Sequence, residues 1–263
     1  MSYTTNSGVQ IYWDEQGSGT PVLLVMGHAF PSAMWHPVIP ALAEKHRVIW
    51  FDNRGTGQSD APTDATISDL AGDARAVLDA AGVDRAHVYG VSMGGGVTLQ
   101  LAYESPERVT SMVLGCTAHK TESLPVKSRA ALLAYYIPLR FLRGRMRASM
   151  YGPVCPPAAA ERDLDVLCAT KVRPRGLIAQ VRAMQTYDLT ADKIATLAMP
   201  ALVLHGDADT TVDVERGKAL AEALPGSRLV IYPGAGHSFP VAVTEQANAD
   251  VLGFFRDVDS LVP

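Results

Sequence analysis

Tyr89-Gly90-Val91-Ser92-Met93-Gly94-Gly95-Gly96 is the stretch on which the fold reading turns. It starts inside a short apolar run, residues 87–91, and passes into residues 93–104, which read as a helix stopped by Ser105-Pro106. A strand that becomes a helix through one residue brings two backbones so close that Gly90 and Gly94 must lack side chains. Ser92, at the apex, is lifted above the strand end, with a helix N-terminus beneath it that favours developing negative charge. Gly-x-Ser-x-Gly alone is also what a glycine-rich tight turn with an incidental serine looks like. Its place at a strand-helix junction is what makes Ser92 a candidate nucleophile.

Outward from this turn the same alternation repeats. Continuous apolar runs at residues 22–26, 48–51, 111–114, 201–205 and 229–232 suit strands buried on both faces of a parallel sheet. Residues 67–81 carry Ile67, Leu70, Ala71, Ala74, Val77, Leu78 and Ala81 at helical spacing, with Thr66 and Asp69 as a capping pair and Gly82 as the stop. Asn6-Ser7-Gly8 before Val9 predicts an opening hairpin. Strand-helix alternation of this kind means a doubly wound α/β sheet. From 118 to 198 the alternation stops, and helical stretches broken by Pro125, Pro138, Pro153, Pro156, Pro157 and Pro174 read as an inserted helical cap. The expected organisation is therefore a main domain of residues 1–117 and 199–263 with a cap of residues 118–198.

Bulk properties narrow the function classes. With 263 residues, 48% of them hydrophobic and 19% charged, the chain can bury a large core. A net charge of −4 gives no reason to expect nucleic acid as a partner. Cys116, Cys155 and Cys168 are odd in number and unpaired in spacing, which fits neither a disulfide framework nor a zinc site and points to a reducing cytoplasm. No signal-like start is present, and the most apolar uncharged run that could mimic a membrane segment, residues 130–139, is too short to span a bilayer. The cap segment carries 13 Lys and Arg against 6 Asp and Glu, leaving 10 against 21 elsewhere. Arg140, Arg143, Arg145 and Arg147 could draw an anionic substrate toward a cleft, or simply form a solvated or ion-paired face.

A serine hydroxyl needs a base, and the base needs an acid to fix its tautomer. Of seven histidines, His237 follows the last strand in the glycine loop Pro233-Gly234-Ala235-Gly236, at the strand ends where open α/β sheets place their sites. His46 and His87 read as structural or solvated; His36 and His119 stay undecided. Leu204-His205-Gly206-Asp207-Ala208-Asp209 places two carboxylates beyond another strand, and the order Ser92, Asp209, His237 is that of α/β hydrolases.

With these residues in view, the chain resembles the α/β-hydrolase-fold serine hydrolases, in the carboxylesterase, enol-lactonase and cofactor-free haloperoxidase branch, over nearly its whole length. Asp52-Asn53-Arg54-Gly55-Thr56-Gly57-Gln58-Ser59 matches the family's Asp-x-Arg-Gly-x-Gly-x-Ser turn, and Gly27-His28 occupies its oxyanion-loop position. There the chain departs from the family, which commonly has His before that glycine where this chain has Met26. The resemblance implies a mostly parallel eight-stranded sheet and selects Asp209 over Asp207, which is left as a loop-capping carboxylate. It also implies an oxyanion hole from the backbone N–H groups of His28 and Met93. Cleavage of an ester or lactone of a small, largely apolar molecule is expected, without metal or organic cofactor. Carbon–carbon hydrolysis, acyl transfer, perhydrolysis and a receptor role use the same scaffold. Leu132, Leu133, Tyr135, Tyr136, Ile137, Phe141, Leu142, Met146 and Met150 are candidates to line the pocket. The oligomeric state is not legible.

Overall fold

The computed structural model describes residues 1–119, 136–137, 139–170 and 173–261. Eight strands form one sheet: β1 (Ser2–Asn6), β2 (Val9–Gln16), β3 (Thr20–Val25), β4 (His46–Phe51), β5 (Ala86–Val91), β6 (Val109–Gly115), β7 (Ala201–Gly206) and β8 (Arg228–Tyr232). Their order is β1-β2-β4-β3-β5-β6-β7-β8. The hairpin β1/β2 and its junction with β4 are antiparallel, and every later pairing is parallel. The expected fold class and all of the strands expected from apolar runs are present, each within two residues of its expected ends.

The runs lack polar alternation because both faces are covered. Leu23 and Val25 pack into a core on one side with helices α1 (Ile67–Ala80) and α2 (Met93–Glu104). Val22 and Leu24 face the other side, against Trp35, Tyr89, Phe239 and Phe255 of a second core. Burying a side chain of this size stabilises by about 1.5–3 kcal/mol, so successive residues pull the strand into the sheet from opposite faces. Thr66 and Asp69 form the expected reciprocal capping box at the start of α1, and Gly82 takes the left-handed φ of 64° after its end.

Between β6 and β7 the described residues include helices α3 (Arg143–Met150), α4 (Pro157–Cys168) and α5 (Pro174–Gln185). Pro157 and Pro174, read from sequence as breakers, are the first residues of their helices, where the missing N–H costs nothing. Pro125 and Pro138 lie outside the described residues. Helices α6 (Val214–Ala223) and α7 (Thr244–Asp259) follow β7 and β8. Among the described residues no helix is long and apolar enough to cross a membrane.

Candidate active site

The turn after β5 has the geometry that the glycine spacing demands. A Cβ on Gly90 would run into the Gly94 carbonyl and the Thr98 hydroxyl, and one on Gly94 into the Val25 carbonyl. The cost is concentrated on Ser92, which has φ 54° and ψ −122°, a region that costs a non-glycine residue of order 1–3 kcal/mol. Its neighbours hold it there. Ser92 N–H donates to the Gly115 carbonyl at 2.8 Å, and its own carbonyl accepts from the Thr117 hydroxyl at 2.7 Å. The loop after β3 crosses directly above, so that a methyl group on Gly27 would lie 3.2 Å from Ser92 Cβ.

Ser92 and His237 open onto the same cavity, of about 280 Å³. His237 Nδ1 lies 2.7 Å from Asp209 Oδ2. The other carboxylate oxygen, Oδ1, accepts from the amides of Thr211 at 2.7 Å and Val212 at 2.9 Å. Burial works against the ionised form of Asp209, but hydrogen bonds from His205 and His237 outweigh it and hold the acid well below its usual range. For His237, burial disfavours the charged ring, whereas the adjoining Cys116 and the Asp209 carboxylate raise its pKa above the ordinary histidine value. Asp207, the acid not selected, instead caps the loop, where its Oδ1 accepts from the Gly234 amide at 2.5 Å. Ser92 Oγ has no hydrogen-bond partner among the described residues.

Met93 is the first residue of α2, where the helix leaves its leading amides unbonded. His28 lines the cavity, and its ring is held from outside it: Nδ1 lies 3.0 Å from Gln180 Oε1, which also accepts from the Ala29 amide at 3.1 Å. Gln180, on α5 and fully buried, donates its amide nitrogen to the Arg54 carbonyl at 2.8 Å. The Asp52–Ser59 turn thus positions the loop after β3. Asn53 Nδ2 donates to the Met26 carbonyl at 2.8 Å, and Arg54 pairs with buried Asp73 through two 2.6 Å bonds.

The remaining histidines divide as their surroundings dictate. His87 is fully buried between Ser111 and Asp259, and His46 is buried against Phe255. His36 Nε2 lies 2.8 Å from Asp163 Oδ1, while the Tyr151 hydroxyl donates to Oδ2 at 2.5 Å, which anchors α4 beside the cavity. His119 is only partly buried, and its Nδ1 has no partner among the described residues.

Of the nine lining candidates, Met146 and Met150 reach the cavity, joined by Met26, Phe30, Met34, Trp35, Val91 and Val241. Tyr136, Ile137 and Phe141 are exposed instead, because no second layer covers them among the described residues. Leu142 lines a separate surface depression, and Leu132, Leu133 and Tyr135 lie outside the described residues. Two of the four clustered arginines are ion-paired: Arg143 reaches Asp165 at 2.7 Å and Arg147 reaches Glu161 at 2.6 Å, while Arg140 lies over the Phe141 ring.

Sequence reasoning missed His205, Gln180 and Cys116. A signal existed for two of them. Cys116 follows β6 directly and His205 is the penultimate residue of β7, at the carboxyl ends where sites of parallel sheets gather.

This arrangement, a strained serine between β5 and α2 facing a histidine-carboxylate pair carried by β7 and β8, defines a class, and comparison with known proteins agrees. The chain belongs to the α/β-hydrolase-fold family. A family model described as alpha/beta hydrolase fold matches residues 20–138, and one described as TAP-like protein matches residues 163–259. The protein is similar to one named as a carbamate hydrolase, RutD, from Variovorax paradoxus, with 32% identity over 92% of this chain and 94% of that one. It also resembles a protein named as a non-heme bromoperoxidase, BpoC, from Mycobacterium tuberculosis, with 30% identity over 95% and 99% of the two chains. Among solved structures, the enol-lactonase from Burkholderia xenovorans LB400 superposes with a TM-score of 0.87 at 25% identity, covering 97% of this chain and 100% of that one. A thermophilic esterase from Thermogutta terrifontis gives 0.85 at 26% identity and 97% of both chains. The protein is accordingly a hydrolase.

Proposed function

We propose that the protein cleaves a carboxylic ester or lactone of a small, largely apolar molecule through an acyl-enzyme on Ser92. Ser92 Oγ attacks the carbonyl carbon while His237 accepts its proton. Asp209 keeps the ring in the tautomer that presents an acceptor to the serine and stabilises the imidazolium that forms. The backbone N–H groups of His28 and Met93 bind the oxyanion. The proton on His237 then passes to the departing alkoxide. Water, deprotonated by the same ring, resolves the acyl-enzyme. Residues 118–198 act as a cap whose Met146 and Met150 close the apolar side of the cavity.

The observation that carries this reading is a serine at the strained turn, sharing one mostly apolar cavity with a histidine hydrogen-bonded at 2.7 Å to a buried aspartate. Its test is labelling with a fluorophosphonate, mapped by peptide mass spectrometry, beside turnover of p-nitrophenyl esters, lactones, aryl carbamates and a carbon–carbon hydrolase substrate. Labelling confined to Ser92 with fastest turnover of an ester or lactone is expected. Labelling elsewhere, or a single stoichiometric burst without turnover, would sink it.

A further inference from the structure

Three side chains with metal-ligating atoms meet at the carboxyl edge of the sheet, each from the end of a different strand: Cys116 after β6, Asp209 after β7 and His237 after β8. One ligating atom of each lies within 4.8 Å of the other two. Cys116 takes no part in the mechanism above, yet it is placed with care. Its φ is 41°, in the left-handed region, and its N–H donates to the Leu204 carbonyl of β7 at 2.8 Å. Only 2% of the residue is exposed, but both it and His237 line the cavity, so a small ion entering from there meets them.

We propose that Cys116, His237 and Asp209 form a binding site for a soft divalent cation such as Zn²⁺, and that its occupation switches the hydrolase off. Thiolate, imidazole and carboxylate are the donor set that zinc selects. Tetrahedral zinc with bonds of about 2.0–2.3 Å sets its ligand atoms about 3.3–3.6 Å apart, so a ligating His237 Nδ1 has to part from Asp209 Oδ2, now 2.7 Å away, by about half an ångström while the thiol closes on the pair. Asp209 Oδ1 is already occupied by the Thr211 and Val212 amides, which leaves Oδ2 as the ligating oxygen. On binding, the Cys116 thiol gives its proton to solvent, the ligating nitrogen of His237 gives up any proton it carries in the same way so that the ring binds neutral, and the fourth position faces the cavity. An imidazole held by the metal cannot take the proton of Ser92. This inhibitory consequence rests on the proposed mechanism, whereas the binding site does not.

The test starts from a Cys155→Ser, Cys168→Ser background, which removes the two other thiols, and titrates Co²⁺ alone and then Zn²⁺ alone. The expected result is one Co²⁺ per chain with thiolate-to-metal charge-transfer absorption, displaced by Zn²⁺. Adding Cys116→Ser abolishes that absorption and weakens Zn²⁺ binding, read by calorimetry, at least about tenfold. His237→Asn, with an unchanged circular dichroism spectrum, also weakens it. In the ester assay Zn²⁺ inhibits, chelator restores activity, and Cys116→Ser raises the inhibition constant by the factor measured calorimetrically. Charge-transfer absorption that survives Cys116→Ser, or Zn²⁺ binding indifferent to both substitutions, overturns the site. Metal binding without ester turnover would uphold the site and sink the ester reading. Turnover with no thiolate band sinks the site alone.

Discussion

On one side of the cavity Ser92 is set by backbone sterics, and on the other His237 is set by charge. The serine side is made by eight consecutive residues whose glycines admit a single path between β5 and α2, and Ser92 faces His237 and Cys116 across the cavity. The histidine side is assembled from the ends of β6, β7 and β8, and depends on a carboxylate that His205, His237 and two amides keep ionised. The first arrangement does not respond to pH or ions. The second does, and the proposed mechanism needs both to be in place at once.

The comparison breaks most severely with Ser92→Ala, which is expected to lower kcat by roughly 10³-fold or more, since triad members act as a unit. More than a tenth of the activity remaining would remove Ser92 from the reaction. On the opposite side Asp209→Asn is expected to come next, a large loss that stays below that of Ser92→Ala, whereas Asp207→Asn, which loses only a loop cap, should cost less than about tenfold. Steady-state kinetics on one p-nitrophenyl ester decides between the two carboxylates.

A smaller effect separates backbone from ring at His28. His28→Pro deletes the proposed oxyanion donor and should cost on the order of 10² to 10³ in kcat. His28→Ala keeps the amide and should cost less than about tenfold, arising from the lost contact with Gln180. Equal losses would mean that the ring, not the amide, matters.

The charge-set side should also show in the pH profile. His237 must be neutral to act as base, and its pKa is raised, so kcat/KM should be lost as pH falls through a value on the alkaline side of the ordinary histidine value of about 6.5. Cys116→Ser should move that limb toward acid; a limb unchanged by the substitution would show that Cys116 does not act on the ring. Smallest of all is the salt response. Because Arg143 and Arg147 are paired within their own segment, kcat/KM for an anionic and a neutral ester of similar size should change with ionic strength within about twofold of each other. A steeper fall for the anion would restore steering by the basic cap.

What the sequence disclosed follows the same division. The Ser92 turn, the capping box at Thr66 and the buried strands depend on neighbours within a few residues, so spacing and composition carry them. Asp209 was reached through order along the chain and a family offset, because nothing local distinguishes it from Asp207, two residues earlier. Gln180 behind His28 and Cys116 beside His237 are contacts between segments far apart in sequence, the Gln180–His28 pair being 152 residues apart, whereas His205 lies only four residues before Asp209 and its place at the strand end was the available signal. The exposure of Tyr136 and Phe141 was illegible for a related reason. An apolar side chain announces that it prefers cover, not whether a partner arrives to provide it.

Gly55, with φ 96°, packs its backbone directly against Gly176 on α5, four residues before Gln180. Positions four apart share a helix face, so this one helical turn carries a steric key and a polar key for the main sheet. Exchange of the segment between β6 and β7 among related chains is therefore not free. A donor segment with a larger residue at the first position would be pushed off the turn, and one without an amide at the second would leave the Ala29 N–H and the Arg54 carbonyl unmatched. Chimeras built to change substrate range must transplant the turn and the helix as a pair.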